Sequence, residues 1–153
     1  MIKLHLIYLL TLSTFLFPIY PQTLTINHLS DLNFGEVFMG YSAEVQHTDP
    51  NAEEFSISHT IKQIDILVQF TLPSALTYQG YSVPITFDYT HSAWSLNDLA
   101  YGRTNFEPFS QLTINNLKNK DIVYLWLGGI INVPLNINPG TYQGTIIITV
   151  EIL

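Results

Sequence analysis

Alternation of apolar and polar residues toward the C-terminus constrains the fold of this chain more than any other feature. One face of the final stretch carries Tyr142, Gly144, Ile146, Ile148, Val150 and Ile152. The opposite face is mostly polar and carries Thr141, Gln143, Thr145, Thr149 and Glu151. Because successive side chains of a strand point to opposite faces, this pattern predicts a strand with one buried face.

The same period recurs in the middle of the chain. One set of inward positions is Ile64, Ile66, Val68, Phe70 and Leu72, and a second is Val83, Ile85, Phe87 and Tyr89. Pro84 cannot donate a ladder hydrogen bond, so the second strand is predicted to start there or to lie at an edge. Shorter strands are predicted at 24–26, 32–38, 55–57 and 112–114.

Residues 123–133 are apolar on both faces and contain the pair Gly128 and Gly129. This pattern predicts a central strand with a bulge or a close approach of two backbones. Asn138-Pro139-Gly140-Thr141 predicts a type II turn, and residues 78–81 predict a hairpin. Residues 39–54 and 91–110 read as long loops, the second packed over the core by its own aromatics or functional. About seven to nine short strands joined by turns predict an all-β, antiparallel β-sandwich.

The first 22 residues read as a separate segment. Lys3 precedes an apolar run that ends at Pro18 and Pro21, which is typical of a secretory signal peptide. The alternative is a membrane anchor, although the run is shorter than the ~20 residues that cross a bilayer as a helix. We therefore expect a signal peptide at 1–22, a β-sandwich domain at 23–153, and an exported protein in the periplasm, at the cell surface or outside the cell.

Composition excludes several classes of function. The formal charge is −7, with 5 Lys+Arg against 12 Asp+Glu, whereas nucleic-acid binding requires clustered positive charge. The absence of cysteine excludes disulfides, thiolate metal sites and a cysteine nucleophile. No serine-hydrolase elbow and no glycine-rich phosphate loop occurs. The sequence thus predicts a protein that is not an enzyme and carries no cofactor.

A few residues bear on metal binding and sugar binding. The histidines form no local zinc signature, so no metal site is predicted from them. Asp49, Glu53 and Glu54 lie close together and could hold calcium, but without the spacing of a known calcium loop. Trp94 and Tyr101 could stack on sugar rings if the 91–110 loop presents them, which makes a secreted carbohydrate-binding module the alternative function. Trp126, inside an apolar strand, is expected in the core.

Three blocks of sequence resemble a secreted bacterial family known as domain of unknown function 4402. The blocks are 31–37, which includes Leu32, Phe34 and Gly35; 127–130, which includes Gly128 and Gly129; and 138–146, which includes Pro139, Gly140, Tyr142 and Gly144. The final block also resembles, more distantly, the last strand of chaperone–usher pilin subunits and spore-coat-U-like proteins. The resemblance implies a pilin-like, immunoglobulin-like sandwich and a structural role without catalysis.

In such pilin-like subunits the sandwich is incomplete and a neighbour donates a strand. Residues 23–27 alternate and could be such a donor. Their shortness and their direct connection to Leu32 favour the alternative, in which they are the first strand of their own sandwich. We therefore predict a non-enzymatic structural protein of the envelope or surface, with a fimbria-like or coat-like subunit as its expected form. Its expected partners are further copies of itself or another envelope protein, by association or strand exchange.

Overall fold

The computed structural model describes residues 23–153, and the predicted signal peptide lies outside them. This part of the chain contains twelve strands, one short 3₁₀ turn at Tyr89–His91 and no α-helix. The strands are β1 (Leu24–Ser30), β2 (Ser42–Val45), β3 (Glu53–His59), β4 (Gln63–Thr71), β5 (Ala75–Tyr78), β6 (Tyr81–Thr86), β7 (Ser92–Ser95), β8 (Thr104–Asn105), β9 (Leu112–Lys118), β10 (Ile122–Leu127), β11 (Gly129–Asn132) and β12 (Ile147–Ile152). Within these residues, no helix has the length and hydrophobicity that a membrane span needs.

The strands form three sheets in which every pairing is antiparallel. The five-stranded sheet has the order β1-β3-β10-β7-β8, the four-stranded sheet β2-β11-β6-β5, and the three-stranded sheet β12-β4-β9. The predicted all-β, antiparallel sandwich is confirmed. The strands outnumber the predicted seven to nine because several of them are only two to four residues long.

The first core lies between the five-stranded and three-stranded sheets. Its fully buried members include Val123, Leu125 and Leu127 from β10 and Ile66 and Val68 from β4. The inward face predicted for β4 is therefore confirmed. Each side chain of this kind stabilises the fold by about 1.5–3 kcal/mol through removal of its apolar surface from water.

The second core lies on one face of the four-stranded sheet. Val83, Ile85 and Phe87 are buried there together with Ile131 and Ile137. The predicted inward positions Val83, Ile85 and Phe87 are confirmed. Tyr89, which was predicted to be inward as well, is 54% exposed because the strand has ended and the residue begins the 3₁₀ turn. No strand covers this core from the other side within the described residues; the irregular segments 31–38 and 137–146 pack over it instead.

The predicted single strand at 123–133 is wrong, because the chain changes sheets in the middle of it. β10 belongs to the five-stranded sheet and β11 to the four-stranded sheet, and Gly128 lies between them. Both strands are buried, so the sequence shows no polar break at the crossing. The predicted strand at 32–38 is also absent, since no residue of this segment belongs to a β-ladder.

Other differences concern the ends of elements and the two predicted loops. The 39–54 region contains β2, and the 91–110 region contains β7 and β8. The last strand begins at Ile147, because residues 141–146 pack against the second core instead. The prediction that this strand starts at Pro84 or lies at an edge is wrong, because β6 begins at Tyr81 and lies between β11 and β5. Its pairing with β11 involves only Ile85 and Thr86, after the proline. The hairpin at 78–81 is confirmed, with positive φ at Gln79 and Gly80.

Candidate functional site

The last strand, β12, has one edge bonded to β4 and one edge open. Its residues pair with Thr71 through Ile66 in an unbroken register, from Ile147 to Ile152. In residues 23–153 no strand pairs with the other side of β12. This open edge therefore exposes backbone donors and acceptors that another strand could use.

The direction of the unpaired groups follows from one hydrogen bond at the end of the strand. The N–H of Leu153 donates to the carbonyl of Asp65, at 3.0 Å. Along an antiparallel pair, successive residues direct their N–H and C=O groups alternately to one side and the other. The N–H and C=O groups of Ile148, Val150 and Ile152 thus point to the open edge.

The side chains of β12 give the edge an apolar character. Ile148 and Val150 are half-buried and pack against the first core, as the alternation predicted. Ile152, which was also predicted to be inward, is 48% exposed, because no neighbouring strand flanks it on the open side. Ile147 and Leu153 are exposed as well.

The other edge strands carry features that discourage pairing with another chain. β1 has a register shift between His28 and Ser30, and β9 has positive φ at Asn116 and ends in Lys118. The outer side of β5 is bridged by Gln143, and β2 and β8 are only four and two residues long. Bulges, lysines and shortness are recognised protections of sheet edges. β12 has six residues, one charge, no proline and no lysine, so it is the least protected edge of the described chain.

Gly128 and Gly129 allow backbones to approach closely where the chain crosses between sheets. The Gly128 N–H donates to the carbonyl of His91 at 2.7 Å. A Cβ on Gly128 would lie 2.0 Å from the carbonyl oxygen of Val45, and one on Gly129 would lie 2.9 Å from that of Thr86. The predicted close approach of backbones is confirmed, and the role of both glycines is structural.

The type II turn predicted at 138–141 is wrong, because Gly140 does not have the positive φ that the third position of such a turn needs. Gly140 is required for a different reason: a Cβ there would lie 2.2 Å from Cε1 of the Tyr78 ring. Tyr142 packs against the same ring, with centroids 5.6 Å apart, and its hydroxyl donates to the carbonyl of Asn138 at 2.7 Å. The contact between the rings of Tyr78 and Tyr142 holds the 137–146 segment on β5, and Pro139 lies next to it in the chain.

The remaining residues of the blocks that resemble the family also hold irregular segments in place. Leu32 and Phe34 pack against the second core. Gly35 has φ +66, and its N–H donates to the side-chain oxygen of Asn33 at 2.8 Å, which forms a tight turn. Gly144 lies where a Cβ would come within 3.0 Å of Leu76. Between the segments 31–39 and 137–146 and the sheet face runs a groove of about 1650 Å³.

The candidate sugar-binding residues lie in different surroundings. Trp94 is on β7, not in a loop, and is half-buried against the first core. Tyr101 is in the connection between β7 and β8 and is 75% exposed. Phe106 is buried in the first core, so part of this region does pack by its own aromatics.

Trp126 is buried, as predicted, but on the outer face of the five-stranded sheet. The guanidinium carbon of Arg103 lies 3.4 Å from the centre of the indole ring, which is a cation–π contact. Arg103 also donates to the carbonyls of Leu99 and His47. The Arg103 side chain thus holds the connection between β7 and β8 over the indole ring of Trp126.

A buried histidine joins the five-stranded and four-stranded sheets. His91 is 3% exposed, and its Nδ1 lies 2.7 Å from Oδ1 of Asp88 and its Nε2 3.0 Å from Oε1 of Glu44 on β2. Burial opposes charge on His91, but the hydrogen bonds with Asp88 and Glu44 outweigh it and raise its pKa. Burial likewise opposes ionisation of Asp88, yet bonds from His91 and Thr90 lower its pKa to about 2. Both ring nitrogens face carboxylates, so the side chain of His91 holds β2 of one sheet against the start of β7 in the other; we call this arrangement the His91 clamp.

We expect the stabilising effect of His91 to depend on pH. With a raised folded pKa, the charged ring stabilises fully below its ordinary value of 6.5 and loses this effect as pH rises through the folded pKa. Asp88, with a lowered pKa, stabilises above its ordinary value of 3.8 and loses this effect as pH falls toward about 2. The pair is therefore strongest between about pH 4 and 6.5. Urea unfolding should show a greater loss of stability from His91→Gln at pH 5.5 than at pH 9. An equal loss at both values would contradict the clamp.

The arrangement of Asp49, Glu53 and Glu54 that calcium binding would need is not formed. Glu53 and Glu54 are adjacent on β3 and point to opposite faces, while Asp49 accepts hydrogen bonds from the backbone and side chain of Asn51. Glu53 instead lies beside His28 and Asp31, and their ligand atoms are all within 4.8 Å of one another. The sequence alone does not reveal this group, because β-pairing, not spacing along the chain, brings Glu53 to the other two.

Comparisons with protein-family models, with curated proteins and with solved structures find no match. The features that bear on function are therefore those of the chain itself. Foremost among them is the open edge of β12, which has the properties of an interaction site.

Proposed function

We propose that the protein is a non-enzymatic, exported structural protein of the cell envelope or surface, and that its copies associate by antiparallel pairing of their β12 strands. The observation that carries this proposal is the open, regular and unprotected edge of β12. Pairing of such edges extends a sheet from one copy into the next through main-chain hydrogen bonds.

The sequence of β12 favours a second copy as the strand that pairs with it. A two-fold axis perpendicular to the sheet, midway between the Val150 residues of the two copies, keeps the core-facing side of both copies on the same side. In this register Val150 faces Val150, and Ile152 of each copy faces Ile148 of the other. Glu151 lies opposite Thr149, so the like charges of the two copies are not directly opposed.

The size of the contact sets the expected affinity. Two strands of six residues bury less than the ~1,200–2,000 Å² of a standard protein interface, which places the contact in the weak class. We therefore expect a dissociation constant in the micromolar range, about −8 kcal/mol at 1 μM. Association at such strength becomes persistent where copies are concentrated on a surface.

Other properties of the chain support this proposal. Charged residues are only 11% of the sequence, and surfaces of low charge are suited to contact with further copies. Residues 24–27 of the segment considered as a donor strand belong to β1 and pair with β3 of their own chain. The association proposed here therefore uses β12 and leaves β1 in place. Export, and the pilin-like and immunoglobulin-like character implied by the family resemblance, stay predictions.

Sedimentation of the purified protein tests the proposal. The average mass should rise from that of one chain to that of two as the protein concentration passes through the micromolar range. Added salt should have little effect, because the contact consists of backbone hydrogen bonds and apolar side chains. A mass that stays at one chain over the whole range would overturn the proposal.

A further inference from the structure

One group of three potential metal ligands lies at the end of β1 that is nearest the groove. His28 is in β1, Asp31 follows the last residue of that strand, and Glu53 begins β3. The antiparallel pairing of β1 with β3 places His28 opposite Phe55 and so brings it near Glu53. The His28 Nε2 atom lies 3.1 Å from Oε1 of Glu53 and 3.3 Å from Oδ1 of Asp31.

These separations match those of ligands around a tetrahedral zinc ion. Zinc binds imidazole nitrogen and carboxylate oxygen at about 2.0–2.2 Å, which places two tetrahedral ligand atoms about 3.3 Å apart. The two contacts made by His28 thus have the spacing that a bound ion would impose. A metal could enter between the three atoms with only small movements of the side chains.

Contacts around the group hold two of the three side chains in position. Glu53 is 7% exposed, and its second oxygen, Oε2, accepts a hydrogen bond from the N–H of Leu32 at 2.8 Å, which leaves Oε1 directed at His28. The His28 ring packs on the ring of Phe55, with centroids 5.5 Å apart. Such secondary contacts orient the ligands of protein metal sites. Asp31, whose side chain is 89% exposed, closes the group from the solvent side.

The charges of the group also favour a cation. Two carboxyl groups, which carry negative charge when ionised, face one imidazole in a partly buried place. A divalent ion would neutralise both carboxylates and bind the imidazole through its lone pair, in place of a proton. One nitrogen and two oxygen ligands suit zinc and its neighbours among the first-row transition metals better than calcium or magnesium, which prefer all-oxygen sites.

We propose that His28, Asp31 and Glu53 bind a zinc-type divalent ion. Three protein ligands leave a fourth position for water, on the side of the groove between 31–39 and 137–146. The ion joins the end of β1, the segment that covers the second core and the start of β3. It therefore fixes the 31–38 segment over the second core, independently of the open edge of β12.

Thermal unfolding of the purified protein, with zinc or with chelator, tests the site. Saturating zinc should raise the melting temperature by about 5–10 °C, and magnesium or calcium should not. His28→Ala and Asp31→Asn change exposed side chains and should remove most of this shift while the circular dichroism of the chain stays unchanged. Glu107→Gln, which removes an exposed carboxylate elsewhere, should retain the full shift.

Cobalt gives a second measurement that does not depend on stability. Co²⁺ at this site should produce the visible absorption of tetrahedral coordination, which zinc should displace and His28→Ala should abolish. The proposal is overturned if zinc leaves the melting temperature unchanged, or if the zinc effect and the cobalt spectrum persist in both His28→Ala and Asp31→Asn. Self-association is measured separately, so failure of the metal site would leave the proposed function standing.

Discussion

Gly128→Ala is expected to destabilise the protein by about 3 kcal/mol or more, from the addition of a single methyl group. The new Cβ would lie 2.0 Å from the carbonyl oxygen of Val45 and 2.9 Å from its carbonyl carbon. Backbone atoms cannot rotate away as a flexible side chain can, so β2 would have to move from β11. That movement would disturb the pairing of Gly129 with Val45 and the hydrogen bond from Gly128 to His91.

Urea unfolding followed by circular dichroism measures this loss, and Gly35→Ala is the matched control. Gly35 has open space where its Cβ would be, but a positive φ of +66. Its substitution should lower the free energy of unfolding by about 1–2 kcal/mol, because a residue with a Cβ is less stable in a left-handed backbone conformation than glycine. If Gly128→Ala were no more harmful than Gly35→Ala, the two backbones would not be as close as the structure places them.

The inward faces of β4 and β6 could be predicted because a strand with one buried face has apolar residues at every second position of its sequence. Ile66 and Val68 in one strand, and Val83 and Ile85 in the other, are buried and alternate with less buried positions. This alternation arises locally, from the geometry of an extended chain, and needs no knowledge of the neighbouring strands. All-β architecture with antiparallel pairing followed from several such segments separated by turns.

The crossing between sheets at Gly128 could not be predicted, because both of its flanking strands are buried. An apolar run gives the same pattern whether it stays in one sheet or passes into another. The structural role of Gly140 could not be predicted from the sequence either. A glycine after proline is typical of a type II turn, but here the missing side chain makes room for the ring of Tyr78. Sequence alone does not distinguish a glycine needed for its φ from one needed for close packing.

The candidate sites depend on topology to a greater degree than the strands do. Glu53 is far from His28 and Asp31 in the sequence, and only the pairing of β1 with β3 brings the three together. The final strand was predicted from its alternation, but its position at an edge depends on the order β12-β4-β9. The residues of a strand indicate only weakly whether it has a neighbouring strand on one side or on both.

Ile152→Lys is expected to convert the self-associated protein into a monomer over the concentration range in which the wild type associates. In the pairing centred on Val150, Ile152 of each copy faces Ile148 of the other, so one substitution places two lysines in the contact. A lysine on an edge strand keeps its charge hydrated only if no second strand covers it. Loss of the two apolar contacts and desolvation of the charges should weaken association at least about a hundredfold, or about 2.7 kcal/mol.

Leu29→Lys is the matched control, because the two side chains have almost the same exposure, 50% for Leu29 and 48% for Ile152. Both lie on edge strands, but β1 has a register shift near Leu29, whereas β12 is regular. Sedimentation should therefore show monomers for Ile152→Lys and wild-type association for Leu29→Lys, with unfolding of both within about 1 kcal/mol of the wild type. Equal weakening by the two variants would mean that added charge, and not the edge of β12, controls association. Dimers that survive Ile152→Lys would exclude β12 as the contact, since a sheet continued through this strand has no room for two buried lysines.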